Sequence, residues 1–320
     1  EKSQPPYFPR GKMPKGRLPH FFLAMDFFFA GVFRMRSGFQ TFIASSIVGG
    51  MVAFVMFVLG CGGNASSPVA PQLDQQPTWT TSLAQVQQTL QTATGSAWTA
   101  GETSVSLNFS QEEAKTLCGL IPDPLLSTFT TSIRGGVGSS LVSGLSATAQ
   151  DLPRRFSWLE KDGLNWGSPV KNQGKYGTCV AFAAIAALET GLKIAQNHAT
   201  ASFDFSEWHL WFNGTNGKNP LPGGWYPSGA AEFLTRKGVV SEELCPYSSI
   251  PNVPALPSDS RYFSPTDWSV ISGRDALKRA LLNGPILTSM RVWSDFCFYK
   301  GGVYSHKAGQ ELGDHAILLI

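Results

Sequence analysis

Residues 169–196 read PVKNQGKYGTCVAFAAIAALETGLKIAQ, and the rest of the chain is best read outward from them. The second half, Cys179 to Gln196, is rich in alanine and apolar on most faces, which predicts a buried central helix. Gly177-Thr178-Cys179 puts a thiol in the first turn of that helix. Unpaired N–H groups and the macrodipole stabilise a thiolate there, one of the few ways to make cysteine nucleophilic near neutral pH. A thiolate also needs a base or cationic partner. His315, 136 residues downstream, stands just ahead of the apolar run Ala316 to Ile320, from which its ring can reach across a cleft. Gln173, six residues before Cys179, lies in a loop with Gly and Asn. Its amide can donate to a developing oxyanion together with the Cys179 backbone N–H.

Away from this helix the pattern changes twice. From Asp151 the composition becomes globular, and beyond Arg261 short runs at Trp268–Ile271, Ile286–Val292, Gly302–Tyr304 and Ala316–Ile320 read as strands. A helix-rich half followed by a strand-rich half predicts an α+β fold with two layers meeting at a cleft. Upstream, Ser82–Thr92 has apolar residues at Leu83, Val86 and Leu90, as a short amphipathic helix requires. A second helix start, Ser110-Gln111-Glu112-Glu113, carries acids in its first turn and runs to Leu117-Cys118-Gly119. Arg134 to Gln150 is a Gly/Ser-rich linker. There is no internal repeat, and Gly136-Val137-Gly138 lacks the third glycine of a nucleotide loop.

Pro169 to Gly174 with Cys179-Val180-Ala181-Phe182 resembles the nucleophile segment of papain-like cysteine peptidases, and Gly313-Asp314-His315-Ala316 resembles their histidine strand. Leu152-Pro153 through Trp158, Phe205-Ser206-Glu207, Gly223-Gly224-Trp225, Gly284-Pro285 and Tyr299 to Tyr304 follow in the family's order. Val292 to Phe296 and Phe233 to Gly238 are most similar to cathepsin B, as are Trp98 to Gly101 and Leu117-Cys118-Gly119 in the region before the linker. The resemblance covers about residues 82 to 320 and implies a two-lobed papain-like fold, with a helical lobe and a β-barrel-like lobe. It further implies Cys179 as nucleophile, His315 as its partner, Gln173 as oxyanion donor, and Gly223 and Gly224 as binders of the substrate main chain. Residues 82–133 would be a propeptide that runs through the cleft against the substrate direction and inhibits it, 134–150 a linker, and 151–320 the peptidase domain. Protein or peptide substrates are implied, with no metal and no organic cofactor. Ser248 to Arg261 has no His-His insertion of the kind that gives cathepsin B its dipeptide-releasing activity, which favours endopeptidase action.

Three departures stand out. Tyr176 replaces a usual cysteine, and the partner near Asn213 is missing too, so that disulfide is lost as a pair. Thr178 and Val180 replace the usual Ser and Trp beside the nucleophile. The sequence stops at Ile320, ahead of the Asn-Ser-Trp segment whose asparagine orients the histidine, and the domain is therefore expected to be truncated at its C-terminus. These departures motivate an alternative, a catalytically silent surface binding module on the same fold. Cys245 and Cys297 read either as core thiols or as a disulfide. Asp314 either tunes His315 or merely sits at a strand edge, and His20, His198, His209 and His306 have no partner in the pattern.

Composition bounds the rest. The 320 residues are 42% apolar and 15% charged, which excludes disorder along the whole length. The net charge of +3 is unevenly spread: 18 of 25 basic and 20 of 22 acidic residues lie after position 36, leaving that body at −2. A body without a basic stripe excludes nucleic acid as an expected partner. The five cysteines form no Cys-x-x-Cys pair, so no zinc site is expected. Thr41 to Gly60, TFIASSIVGGMVAFVMFVLG, follows Arg34 and Arg36 as an apolar export segment, and Val58-Leu59-Gly60-Cys61 resembles a bacterial lipoprotein cleavage box. This reading makes 1–34 a doubtful upstream extension, 35–60 a signal peptide, Cys61 the lipidated residue and 61–81 a flexible tether. The product would be a lipoprotein of the cell envelope, with secretion after cleavage as the alternative; an uncleaved membrane helix is the plainer reading of the apolar run.

Overall fold

The central helix is buried all round: of the 17 residues in Cys179–Ala195, 13 are buried. Its alanines let neighbours approach on every side, so the helix packs as a core element and not as an amphipathic surface one. The structure, a computed structural model, describes residues 20–25, 33–35, 78–95, 97–125 and 152–320. In chain order the elements are β1 (His20–Met25), β2 (Phe33–Met35), α1 (Leu83–Thr92), β3 (Ala97–Ala100), α2 (Ser104–Asn108), α3 (Gln111–Thr116), α4 (Cys179–Ala195), α5 (Glu207–Gly214), α6 (Pro227–Arg236), β4 (Asp267–Ser272), α7 (Arg274–Leu281), β5 (Ile286–Trp293), β6 (Tyr299–Tyr304) and β7 (Glu311–Leu319). They divide into two compact units, one built mainly from 112–294 and 310–320, the other from 31–111 and 295–309.

In the larger unit α4 packs against Trp208, Leu210 and Trp211 of α5, Ala230, Ala231 and Leu234 of α6, and Leu287 and Ala316 of the sheet. Each fully buried leucine here contributes about 1.5–3 kcal/mol. Ser206 caps α5, its Oγ accepting from the His209 N–H at 2.9 Å, and Pro227 opens α6 where its missing N–H costs nothing. The sheet has the order β4-β1-β5-β7, with β1 parallel to β4 and β5, and β5 antiparallel to β7. Among the described residues it is an open sheet, where the resemblance implies a barrel-like lobe.

The smaller unit is a three-stranded sheet of order β2-β6-β3. Val86 of α1 packs with Trp98, Phe298 and Tyr304, and a capping box of Ser82 and Gln85 starts the helix. Asp295, fully buried, accepts from the Tyr304 hydroxyl at 2.6 Å, the Lys307 and Ala308 N–H groups, and the His306 ring. His306 therefore has a partner that the sequence pattern does not reveal.

Several expectations change. Residues 20–25, part of the upstream extension to which no fold was assigned, form the strand between β4 and β5. The five-residue apolar run Phe21–Met25 suits a strand, but periodicity cannot say where it pairs. β7 begins at Glu311, so His315 lies inside the strand opposite Met290 and not ahead of it. Gly313 and the charged residues around it disguise the strand start. Cys245 and Cys297 are both free thiols, and burial raises both, Cys297 to about 12. The apolar stretch 41–60, Cys61, residues 62–77 of the tether and the linker 134–150 lie outside the described residues. Among the described residues no helix is long and apolar enough to cross a membrane.

Candidate active site

The α4 start and β7 bring together the three residues singled out by the sequence. Cys179 is 1% exposed, and its Sγ accepts from the Ala316 N–H at 3.4 Å. Burial pushes the thiol up, but the His315 charge and hydrogen bond, with the Ala316 and Gly119 N–H groups, outweigh it and hold the thiol below its ordinary value. For His315 burial pushes down, and the thiol's charge and hydrogen bond with the Leu117 carbonyl push further up. The two shifts have one cause, a thiolate–imidazolium pair, and its direction is opposite to that of the structural thiols Cys245 and Cys297.

A stretch of the chain's own backbone fills the cleft above this pair. The Leu117 carbonyl accepts from Gln173 Nε2 at 3.0 Å and from His315 Nδ1 at 3.0 Å. Further along, the Trp225 N–H donates to the Gly119 carbonyl, the Ile121 N–H to the Trp225 carbonyl, and the Leu120 N–H to the Asp314 carbonyl. Leu120 thus bridges Trp225 in the parallel sense. Trp225 pairs through both its N–H and its carbonyl, and the sequence reading did not single it out. A Cβ on Gly224 would lie 2.9 Å from Ile121, so a glycine there allows the segment in, while Gly223 packs its Cα against Pro220 and Gly177.

Two further groups hold the site in place. The Tyr247 hydroxyl donates to the Gln173 carbonyl at 2.9 Å, and Thr178 Oγ1 lies 2.6 Å from that hydroxyl. One phenol so ties the Gln173 loop to the residue that begins α4. Its ring meets Phe182 and Tyr176 edge-on. Behind the loop, Lys171 Nζ reaches Asp204, Glu207 and Glu189 at 2.7, 2.8 and 3.0 Å. One cation cannot neutralise three acids, and burial pushes Glu207 up to about 7 and Glu189 upward as well. Asp314, by contrast, is held by the Arg291 fork at 3.0 and 3.2 Å, which favours the strand-edge reading over a role in tuning His315.

The Glu207 shift makes stability depend on pH. Between the unfolded value of 4.5 and the folded value of about 7 the native state holds a proton that the unfolded chain has lost. Stability should therefore fall as pH rises through this window, by roughly 3 kcal/mol from this group. Thermal unfolding between pH 4.5 and 8 checks this, with Glu207→Gln flattening the slope; an unchanged slope would exclude Glu207 as its source.

A helix-start thiol paired with an imidazole on a facing strand is the arrangement that activates a cysteine nucleophile. The chain belongs to the papain family: the family described as "Papain family cysteine protease" matches residues 152–320. A "Cysteine proteinase" of Theileria annulata is 32% identical over 171 residues, 52% of this chain and 37% of that one. "Cathepsin B-like CP3" of Giardia intestinalis is 30% identical over 167 residues, 47% of this chain and 53% of that one. The chain thus spans about half or less of the length of these relatives. Among solved structures, proCathepsin B S9 from Trypanosoma congolense is similar with a TM-score of 0.56 at 20% identity, covering 74% of this chain and 80% of that one. Procathepsin L2 from Tenebrio molitor larval midgut reaches 0.51 at 24% identity, covering 69% of each. These likenesses establish a papain-like α+β fold.

Proposed function

We propose that the chain is the zymogen of a cysteine peptidase that hydrolyses peptide bonds as an endopeptidase, with residues 117–121 as its intramolecular inhibitor. The carrying observation is the Leu117 carbonyl, a peptide carbonyl held between Gln173 Nε2 and His315 Nδ1. With the segment gone, the Cys179 thiolate attacks a substrate carbonyl carbon. The oxyanion accepts from Gln173 Nε2 and the Cys179 N–H, and the His315 imidazolium gives its proton to the leaving amine. The neutral imidazole then takes a proton from water, whose oxygen attacks the thioester and frees the acid and the thiolate. In the zymogen Leu117 engages the ring proton itself, so a leaving amine would receive none.

The test is labelling by a thiol-directed peptidyl epoxide after removal of the segment, read at Cys179 by mass spectrometry. No label at Cys179, with no peptide cleaved, would return the chain to the silent binding-module reading. Gln173→Ala should lower kcat by roughly 10²-fold, and an unchanged kcat removes it as oxyanion donor. The export reading adds a lipid anchor at Cys61, supported by the apolar run and the small residue before the cysteine. Metabolic labelling with a fatty acid should mark the chain, and Cys61→Ser should abolish the mark; a labelled Cys61→Ser chain would sink the anchor.

A further inference from the structure

The cleft segment ends in a contact that blocking the cleft does not require. α6 has no side-chain cap of its own at Tyr226 and no acid in its first turn. A carboxylate from elsewhere fills that position. Asp123, 105 residues earlier in the chain, accepts from the Ser228 N–H at 2.8 Å through one oxygen and from Ser228 Oγ at 2.7 Å through the other. Both residues are more than nine-tenths buried, at 8% and 5% exposed. The Leu125 N–H also donates, at 3.0 Å, to Asp123 Oδ1, the oxygen that accepts from Ser228 Oγ. Pro124 holds the residue before it in extended backbone, so Asp123 is presented from an extended position just ahead of the helical turn at 124–125.

We propose that Ser228 and the first turn of α6 form a carboxylate-binding subsite, which Asp123 occupies in the zymogen and an acidic substrate side chain takes once the segment leaves. The site is two residues along the backbone from Ile121, which pairs with Trp225, so it lies on the path that an extended peptide follows out of the cleft. Its chemistry favours an anion. Two donors meet the two oxygens of one carboxylate, and the positive end of the helix adds to both bonds. An amide of the same shape keeps one acceptor and loses the charge. The aspartate therefore serves as a built-in sample of the ligand, and its removal opens a hydroxyl and an N–H that a second carboxylate can take.

This inference rests on the peptidase reading, and two measurements separate the failure of one from the failure of the other. Full-length protein that has released its segment is offered peptides with a single Asp or Asn at each of the six positions on the Trp225 side of the scissile bond. At one position Asp should be preferred about tenfold in kcat/KM, the size of one charge-assisted hydrogen bond, and the ratio should fall toward one in Ser228→Ala. No preference at any position, or the same preference in Ser228→Ala, overturns the subsite. The second measurement needs no turnover: the rate at which iodoacetamide alkylates Cys179 in the intact chain, read on the Cys179 peptide. Asp123→Asn and Ser228→Ala should each raise it about tenfold, and the double variant should be no faster than the faster single one. Unchanged rates overturn the carboxylate site even if the protein cleaves nothing; faster rates without any cleavage keep the site and discard the peptidase.

Discussion

Alanine at Gly119 should open the cleft of the intact chain. A Cβ at this position would stand 1.9 Å from the Gly177 carbonyl oxygen, 2.3 Å from its carbon and 2.7 Å from its Cα. All three are backbone atoms of the loop that leads into α4, so no side chain can swing aside. The segment must lift, and the Gly119 carbonyl loses its bond from the Trp225 N–H, with the Leu117 carbonyl carried off Gln173 and His315 in turn. Overpacking of this kind costs about 1–3 kcal/mol or more. Alkylation of Cys179 in full-length Gly119→Ala should accordingly run about 10- to 100-fold faster than in the parent chain. Gly284→Ala is the control, since nothing lies within 4 Å of a Cβ there and its backbone is not left-handed. Equal rates in Gly119→Ala and the parent would mean that the segment does not shield the thiol.

Removing the thiol should have the largest effect of all. Cys179→Ala in protein freed of its segment should lose peptidase activity by on the order of 10⁵-fold, because a covalent nucleophile has no substitute in this site. A structural thiol could not do this; Cys245→Ala or Cys297→Ala would act only through stability. The same variant has a second readout in the intact chain. His315 titrates above its ordinary value because the thiolate, helped by the Leu117 carbonyl, offsets its burial. Without Cys179 the desolvation remains and its main counterweight is gone, so the imidazole pKa should drop, as followed by NMR of the ring protons. An unmoved His315 would break the ion-pair account. The pair also fixes the active window: rates should rise as pH passes upward through the lowered thiol pKa and fall as it passes through the raised imidazole pKa.

The sequence made the reacting groups legible because their surroundings are local. A thiol that opens a helix, a glutamine six residues before it and a histidine beside an apolar run are each readable from a few neighbouring positions. The central helix was readable for the same reason, from composition alone. What escaped depends on contacts across long separations. Tyr247 meets Gln173 across 74 positions and Asp123 meets Ser228 across 105, and no periodicity records either. Trp225 was passed over because glycines signal close backbone approach, whereas its own pairing uses only its N–H and carbonyl, which every residue but proline has. The start of β7 was misread because Gly313, at φ +138°, interrupts the alternation that marks a strand.

Gly119, Gly177 and Gly223 come from three separate stretches of chain, yet each has its Cα against the backbone of another: Gly119 on Gly177, Gly177 on Pro222, Gly223 on Gly177. In evolutionary terms this stack joins the inhibitor to its receptacle. A side chain gained at any one of the three meets main chain that no substitution at the other two can withdraw, so the blocking segment and the domain it blocks each limit what the other can become.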